Sequence, residues 1–256
     1  MILTLESVRH TRRHLNEIAS LVERAAKKKA EPEAPAAPAA SVEDVIGSLK
    51  AASSYIDAFL DVAETPLGPL EKIAPLAQEV AEKHDKGEAI SGVELADINS
   101  QLSALELLFG KVYEPFVKAR ESTYAAAKAI GVPTRRTGRE RHAPEALSGK
   151  EAGAVADGIE GASSRLERGI KRLLELATRT RNKMDEVVAD LGRKAGPGWE
   201  NRVGAAVDMF LDFRDAVGTD YYQQFNGVKR RINELDNRIG MPGAPARMRE
   251  LPPQAA

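Results

Sequence analysis

The feature that most constrains this chain is an apolar spacing of alternating threes and fours, sustained with few breaks from Val42 to Ile239. Residues so spaced line one face of an α-helix, whereas a half-buried strand would need every second residue apolar. The chain therefore reads as all-α. Val42, Val45, Leu49, Ala52, Ile56, Phe59 and Ala63 open the series, and TPLGP at 65–69 interrupts it. Leu70, Ile73, Ala77 and Val80 resume it up to Lys86-Gly87. Leu95, Ile98, Leu102, Leu105, Phe109, Val112, Phe116, Ala119, Ala126 and Ile130 form the next seam, with Thr123 out of place. That seam crosses Pro115 in phase, so the proline is expected to kink the helix without ending it.

After a connection at 131–147, Ala152, Val155, Ile159, Ala162, Leu166, Leu173, Ala177, Met184, Val187 and Leu191 make a long seam whose one hole is Gly169. GPGW at 196–199 is a tight turn. Val203, Val207, Phe210, Val217, Tyr221, Val228, Ile232, Leu235 and Ile239 complete the pattern. Ser41 with Asp44, Ser91 with Glu94 and Ser148 with Glu151 have capping-box spacing at three helix starts. Gly240, Pro242 and Pro245 end the last helix, and the tail 241–256 is expected to be disordered.

Ahead of the body lies an amphipathic helix at 1–29, with Leu5, Val8, Leu15 and Val22 on its apolar face. The Pro/Ala stretch AEPEAPAAPAA at 30–40 joins it to the body as a semi-rigid tether. The expected architecture of 41–240 is an elongated antiparallel bundle of long, coiled-coil-like helices: an acidic first hairpin at 41–130, a basic loop at 131–147 and a second hairpin at 148–240. Residues 42–86 are either one rod broken at TPLGP or two short helices folded back. Treated as a rod facing the next helix, Val80 meets Ile98, Ile73 meets Leu105 and Phe59 meets Ala119. Folding the second hairpin about Pro197 pairs Leu191 with Val203, Met184 with Phe210, Gly169 with Phe225 and Arg179 with Asp215, with Lys183 beside Asp212. Four rods of similar length then run up-down-up-down.

Composition narrows the function classes. The chain has no cysteine, which removes disulfide scaffolds, thiol nucleophiles and thiolate metal sites. No apolar run approaches the ~18 residues of a spanning helix, and MILTLESVRH lacks the core of a secretory signal. A cytoplasmic or particle-packaged protein is expected. The net charge of −1 hides an asymmetry: residues 42–130 carry eight bases against fifteen acids, while both flanks are basic. Regions of opposite sign can attract one another within or between chains.

No catalytic, cofactor-binding or metal-ligating residue is nominated, so the chain reads as a non-enzyme without a cofactor or small-molecule substrate. His10 and His14 have metal-ligand spacing, yet Arg9, Arg12 and Arg13 crowd them. His84 and His142 stand without neighbouring ligands, and no Glu-x-x-His repeat occurs. Asp208, Asp212 and Asp215 read as partners for Arg179 and Lys183 and not as an acid–base pair. Arg165, Arg168 and Arg172 run beside a seam, where cations either face phosphates or pair with the acids of the first hairpin. Arg135, Arg136, Arg139 and Arg141 concentrate in the 131–147 loop, which is longer than an up-down bundle requires. Such a loop can grip an acidic partner or phosphates, although no aromatic interleaves to stack bases.

These features point to a structural or interaction protein: a subunit of a larger assembly, such as a virion or secretion device, that docks on a protein partner or a sibling through its N-terminal helix and basic loop. Two other readings compete. One is a lipid- or granule-surface helical protein, by analogy of shape alone. The other is a nucleic-acid-associated protein using the 134–142 arginines.

Overall fold

The computed structural model describes residues 41–135, 151–193 and 195–239, and by its contacts the chain divides into two compact units, Met1–Ala40 and Ser41–Ala256. The expectations for the N-terminal helix, the Pro/Ala tether, the Ser148 capping box and the C-terminal tail lie outside the described residues. Within them every regular element is helical and no strand occurs. The elements are α1 (Val42–Leu60), α2 (Leu67–Asp85), α3 (Gly92–Ala129), α4 (Ala152–Arg193), α5 (Trp199–Ala216), a π-helical stretch (Val217–Tyr222) and α6 (Gln223–Arg238).

Local chemistry sets the boundaries. The Ser41 hydroxyl accepts from the Asp44 amide at 3.1 Å, while the Asp44 carboxylate accepts from the Ser41 amide at 3.3 Å. Ser91 and Glu94 repeat this box at the start of α3, at 3.3 and 2.8 Å. Each box satisfies amides that have no partner inside the helix. At the other ends, Gly87 (φ 70°) and Gly131 (φ 71°) take the left-handed conformation. Glu88 N–H then reaches Lys83 O at 2.9 Å, and Val132 N–H reaches Ala127 O at 2.9 Å. These bonds close Schellman caps on α2 and α3. Pro115 lies inside an unbroken α3 and Pro75 inside α2.

The first stretch is one broken rod. Helices α1 and α2 do not pack on each other; both pack on α3 and both pack on α4. Across to α4, Asp85 Oδ2 accepts from Gly153 N–H at 3.2 Å and Gln78 Nε2 donates to Asp157 at 2.8 Å. Farther along, Arg181 Nε donates to Asp57 at 2.8 Å and Ser53 Oγ to Asp185 at 2.6 Å. The register holds steady through TPLGP, so the break interrupts the hydrogen bonding without turning the rod around. Toward α3, Lys83 pairs with Glu94, and the Lys118 ammonium lies 5.9 Å from the Tyr55 ring centroid. That is the antiparallel register expected from sequence, give or take a turn.

The connectivity departs from the expected up-down-up-down order. Helix α4 runs antiparallel to the first rod, and so does α3, so α3 and α4 point the same way on opposite corners of the bundle. They make no contact with each other. The last rod, α5 through α6, runs antiparallel to both: Phe116 meets Phe213, Phe109 meets Tyr221 and Glu106 meets Lys229 along α3. The order is thus up-down-down-up, two antiparallel hairpins joined by one crossover. Ala129 and Ala152 sit at opposite ends of helices about 57 and 63 Å long, taking 38 and 42 residues at 1.5 Å each.

Apart from the half-buried Val42, Ile130 and Ile239, the apolar seam positions are buried, but the buried stripe is wider than one seam. Ala81, Ala127, Ala156, Ile170, Ala206, Leu211 and Phe213 are also inside. Each rod touches two neighbours, and one line of side chains cannot cover two contacts. Thr123, the polar break in its seam, is 0% exposed and donates to Ala119 O at 2.8 Å. The six phenylalanines gather in mid-bundle. Phe213 makes edge-on contacts with Phe59, Phe116 and Phe210, and Phe109 stacks between Tyr221 (4.1 Å) and Phe225 (4.3 Å). Aromatics are few here but not spread thin.

The second hairpin forms with its partners shifted by about one turn from the expected register. Thr180 Oγ1 lies 3.4 Å from Met209 O, and Arg172 pairs with Asp220 at 3.0 Å. Gly169 does not receive Phe225; it receives backbone. A Cβ there would lie 2.1 Å from Asp220 O. Asp220 belongs to the π-helical stretch, where Gln223 N–H reaches back five residues to Gly218 O. This wider turn brings backbone, and not a side chain, against α4, and only glycine leaves the room. Because a one-turn slip keeps each seam on its own face, apolar periodicity does not distinguish the two registers.

Gly169→Ala is therefore expected to destabilise the fold by about 2–4 kcal/mol through overpacking against backbone. Gly192→Ala, in open space on the same helix, should stabilise by about 0.5–1 kcal/mol through helix propensity. Urea unfolding followed by circular dichroism checks both signs.

Candidate functional site

The residues singled out from sequence do not converge on one place. Leu5, Val8, Leu15 and Val22 lie outside the described residues, as do His10, His14, His142, Arg136, Arg139 and Arg141. Arg135 is described and exposed. On α4, Arg168 Nε donates to Ser164 O of the preceding turn at 3.3 Å. Arg172 binds Asp220 of the last rod, not an acid of the first hairpin, and keeps 67% of its side chain exposed. Arg165 is half-buried. Arg181 reaches the acidic first rod through Asp57. His84 sits 3.2 Å from its neighbour Asp85. Among the described residues no group of three or more His, Asp or Glu is placed to hold a metal ion.

Asp215 accepts from Arg214 Nη2 at 2.7 Å and Nε at 3.0 Å, and Lys183 binds Glu186 on its own helix. Arg214, which the sequence did not single out, is heavily used. Its Nη1 donates to Tyr124 Oη of α3 at 2.8 Å and to Thr134 O at 2.9 Å. One guanidinium thus ties α5, α3 and the chain that leaves α3. Its spaced planar donors suit three acceptors at once, which an ammonium on a single point could not reproduce. Gly131 turns the chain, and Val132 packs near Gly204. By Thr134 the chain is level with Tyr124 again, heading back along the last rod.

This geometry explains the length of the basic connection. From the level of Thr134 the chain must return to Ala152, about 45 Å away along α3 at 1.5 Å per residue. Eighteen residues reach roughly 60 Å when extended. About 13 extended residues would cover that distance, so the crossover accounts for most of the connection's length. Its length is no longer evidence of a free gripping loop. The arginines within it remain a charged feature of that crossing.

Polar groups inside the bundle are spread along it, with Ser53, Thr123 and Thr180 toward one end and Arg231 and Asp236 toward the end where α2 meets α3. Glu94 is pulled down to about 2, first by the hydrogen bond from Lys83 and then by Ser91. Lys83 is raised in turn by Glu79 and Glu94. Asp236 of α6 is 5% exposed and takes one hydrogen bond, from Asn99 Nδ2 at 3.3 Å, while its Oδ1 has no partner. Burial holds this carboxyl above its ordinary range, with Asn99 opposing. In mid-bundle the Tyr221 hydroxyl is buried without a partner, and burial raises it far above a phenol's usual value. A phenol so raised gives up no proton near neutrality.

Asp236 binds its proton more tightly folded than unfolded. Its contribution is therefore a penalty that sets in above the unfolded value near 3.9 and is complete above the folded one. Asp236→Asn should raise stability at pH 7 by about 1 kcal/mol, with the gain vanishing near pH 3. Urea midpoints at the two pH values measure this. Arg214→Met should cost about 2–3 kcal/mol by stranding half-buried acceptors, read in the same assay.

Compared with models of known protein families, with curated proteins and with solved structures, the chain finds no match.

Proposed function

We propose that this chain is a non-enzymatic structural subunit of a larger assembly, docking on a sibling or partner protein through its N-terminal helix and its basic connection. The observation that carries this reading is the use to which the bundle puts its interior. The inward positions of the four rods are filled mainly by apolar packing, from Val45 to Leu235, and buried polar residues such as Thr123 and Asp236 are held by isolated hydrogen bonds. A scaffold of this kind presents chemistry outward. Its rods of about 60 Å offer long faces, and the N-terminal sequence, with Leu5, Val8, Leu15 and Val22 at helical spacing, supplies an amphipathic pattern for docking on a neighbour. The charge asymmetry between the first hairpin and its flanks supports head-to-tail or face-to-face contact between copies.

Light scattering on a sizing column, with negative-stain imaging of the same peak, tests the proposal. A defined high oligomer, ring or filament that collapses when residues 1–40 are deleted is the expected result. A strictly monomeric chain that captures no sibling or protein partner would sink it. Flotation with anionic liposomes, or a salt-sensitive shift of DNA or RNA, would then move the reading to a lipid surface or to nucleic acid.

A further inference from the structure

The outward face of α3 changes character along its length. Its second half carries Lys111, Glu114, Lys118, Glu121 and Lys128, all exposed. Over the first half the exposed stripe is Val93, Ala96, Ser100, Ser103, Leu107 and Gly110, with Asp97 on its flank. Val93 is 69% exposed and Leu107 64%, the large apolar side chains left open to solvent among the described residues. The stripe alternates spacings of three and four, as the buried seams do, so α3 has a second seam that faces away from the bundle. The outward face of α4 carries Asp157, Glu160, Arg168, Lys171 and Glu175 instead. Single exposed apolar residues are ordinary, but a pair on one stripe with small residues between them is a surface on which another helix can lie closely.

Two charges decide what can cover it. Asp97 and Lys111 stand toward opposite ends of the stripe, both exposed, and no ion pair among the described residues involves either. With Ser100 at the centre of the face, both fall on the same flank, at about 100° per residue. A second copy of α3 laid parallel on this face would set Asp97 against Asp97 and Lys111 against Lys111. Laid antiparallel about a two-fold axis at Ala104, it sets Asp97 against Lys111 twice, and the shared flank keeps each pair on one side of the contact. The same register puts Leu107 of each copy against Ser100 and Ala104 of the other, and Ala104 against its own counterpart. Large side chains then meet small ones and each charge meets its opposite, the self-complementarity that a two-fold interface requires. A lipid surface gains nothing from the Asp97–Lys111 spacing, and Asp97 would repel the phosphates of a nucleic acid.

We propose that the outward face of α3 from Val93 to Glu114 is a homodimer interface, in which a second copy of the chain packs antiparallel about a two-fold axis at Ala104 and the copies exchange two Asp97–Lys111 ion pairs. The overlap is about 32 Å long. It uses no residue of 1–40 or of the 131–147 connection, so it stands apart from the docking elements of the assembly proposal and fails separately from them.

The chain has no cysteine, so single cysteines report the register in the full chain without background. Ala104→Cys, under mild oxidation, is expected to give a covalent dimer, because a residue on the axis meets its counterpart within the roughly 4–7 Å between Cα atoms that a disulfide spans. Ser100→Cys and Glu121→Cys should stay uncrosslinked, since their counterparts lie about 12 and 50 Å away along the axis. In the Ala104→Cys chain, Leu107→Glu should slow crosslinking at least tenfold with the melting temperature unchanged. Asp97→Lys and Lys111→Asp should each slow it by about tenfold through like-charge contact, and the two together should restore it to within about threefold. A crosslink at Ser100 in place of Ala104, equal crosslinking at all three positions or none at any would overturn the proposal, as would a double charge exchange no faster than the single ones. Oligomers on the sizing column with Ala104→Cys uncrosslinked would remove this interface and leave the assembly reading standing.

Discussion

The structure depends on how closely α4 can lie against the last rod. Helix α4 is the long wall of the bundle, packed on the first rod along one side and on α5 through α6 along the other. Its second contact closes where Gly169 meets the Asp220 carbonyl. At that point two backbones touch, and the separation of the rods follows from it. With α4 so placed, Phe109 can stack on Tyr221 and Phe225 from the facing corner, and Phe213 can reach across to Phe59. A side chain at 169 would push the rods apart and open that aromatic centre, because interiors are packed too tightly to absorb a displaced helix without losing contacts.

Antiparallel neighbours on all four sides follow from the two hairpins and the way they pair. Helix α3 lies antiparallel to the first rod and to the last, and so does α4. The two middle rods of the sequence are then parallel and diagonal, and the chain between them has to climb the length of the bundle. Arg214 marks the start of that climb by holding Thr134 against Tyr124. The basic connection is thereby a consequence of topology before it is a candidate for recognition.

Much of the fold was legible because its signals are local or periodic. The Ser41 and Ser91 boxes, the glycine stops at Gly87 and Gly131 and the passage of α3 through Pro115 are decided by a few neighbouring residues. The seams from Val45 to Leu235 are buried as read. Less was legible of candidate sites. Arg172 was picked out, but its partner Asp220 was not, since a slip of one turn moves every charged pair while leaving the apolar faces in place. Arg214 carries no pattern of its own. What marks it is an acceptor on another rod.

The sequence by itself determined that this chain is helical, where α1 and α3 start, where α2 and α3 stop, and which face of each helix turns inward. Those properties follow from capping chemistry and from a period of 3.6 residues, both readable within a turn or two. Tertiary structure alone decided the up-down-down-up order, the register of the second hairpin and the π-helical turn against Gly169. Each depends on which of several equally apolar stripes meet, and on backbone approaching backbone where no side chain is present to announce it.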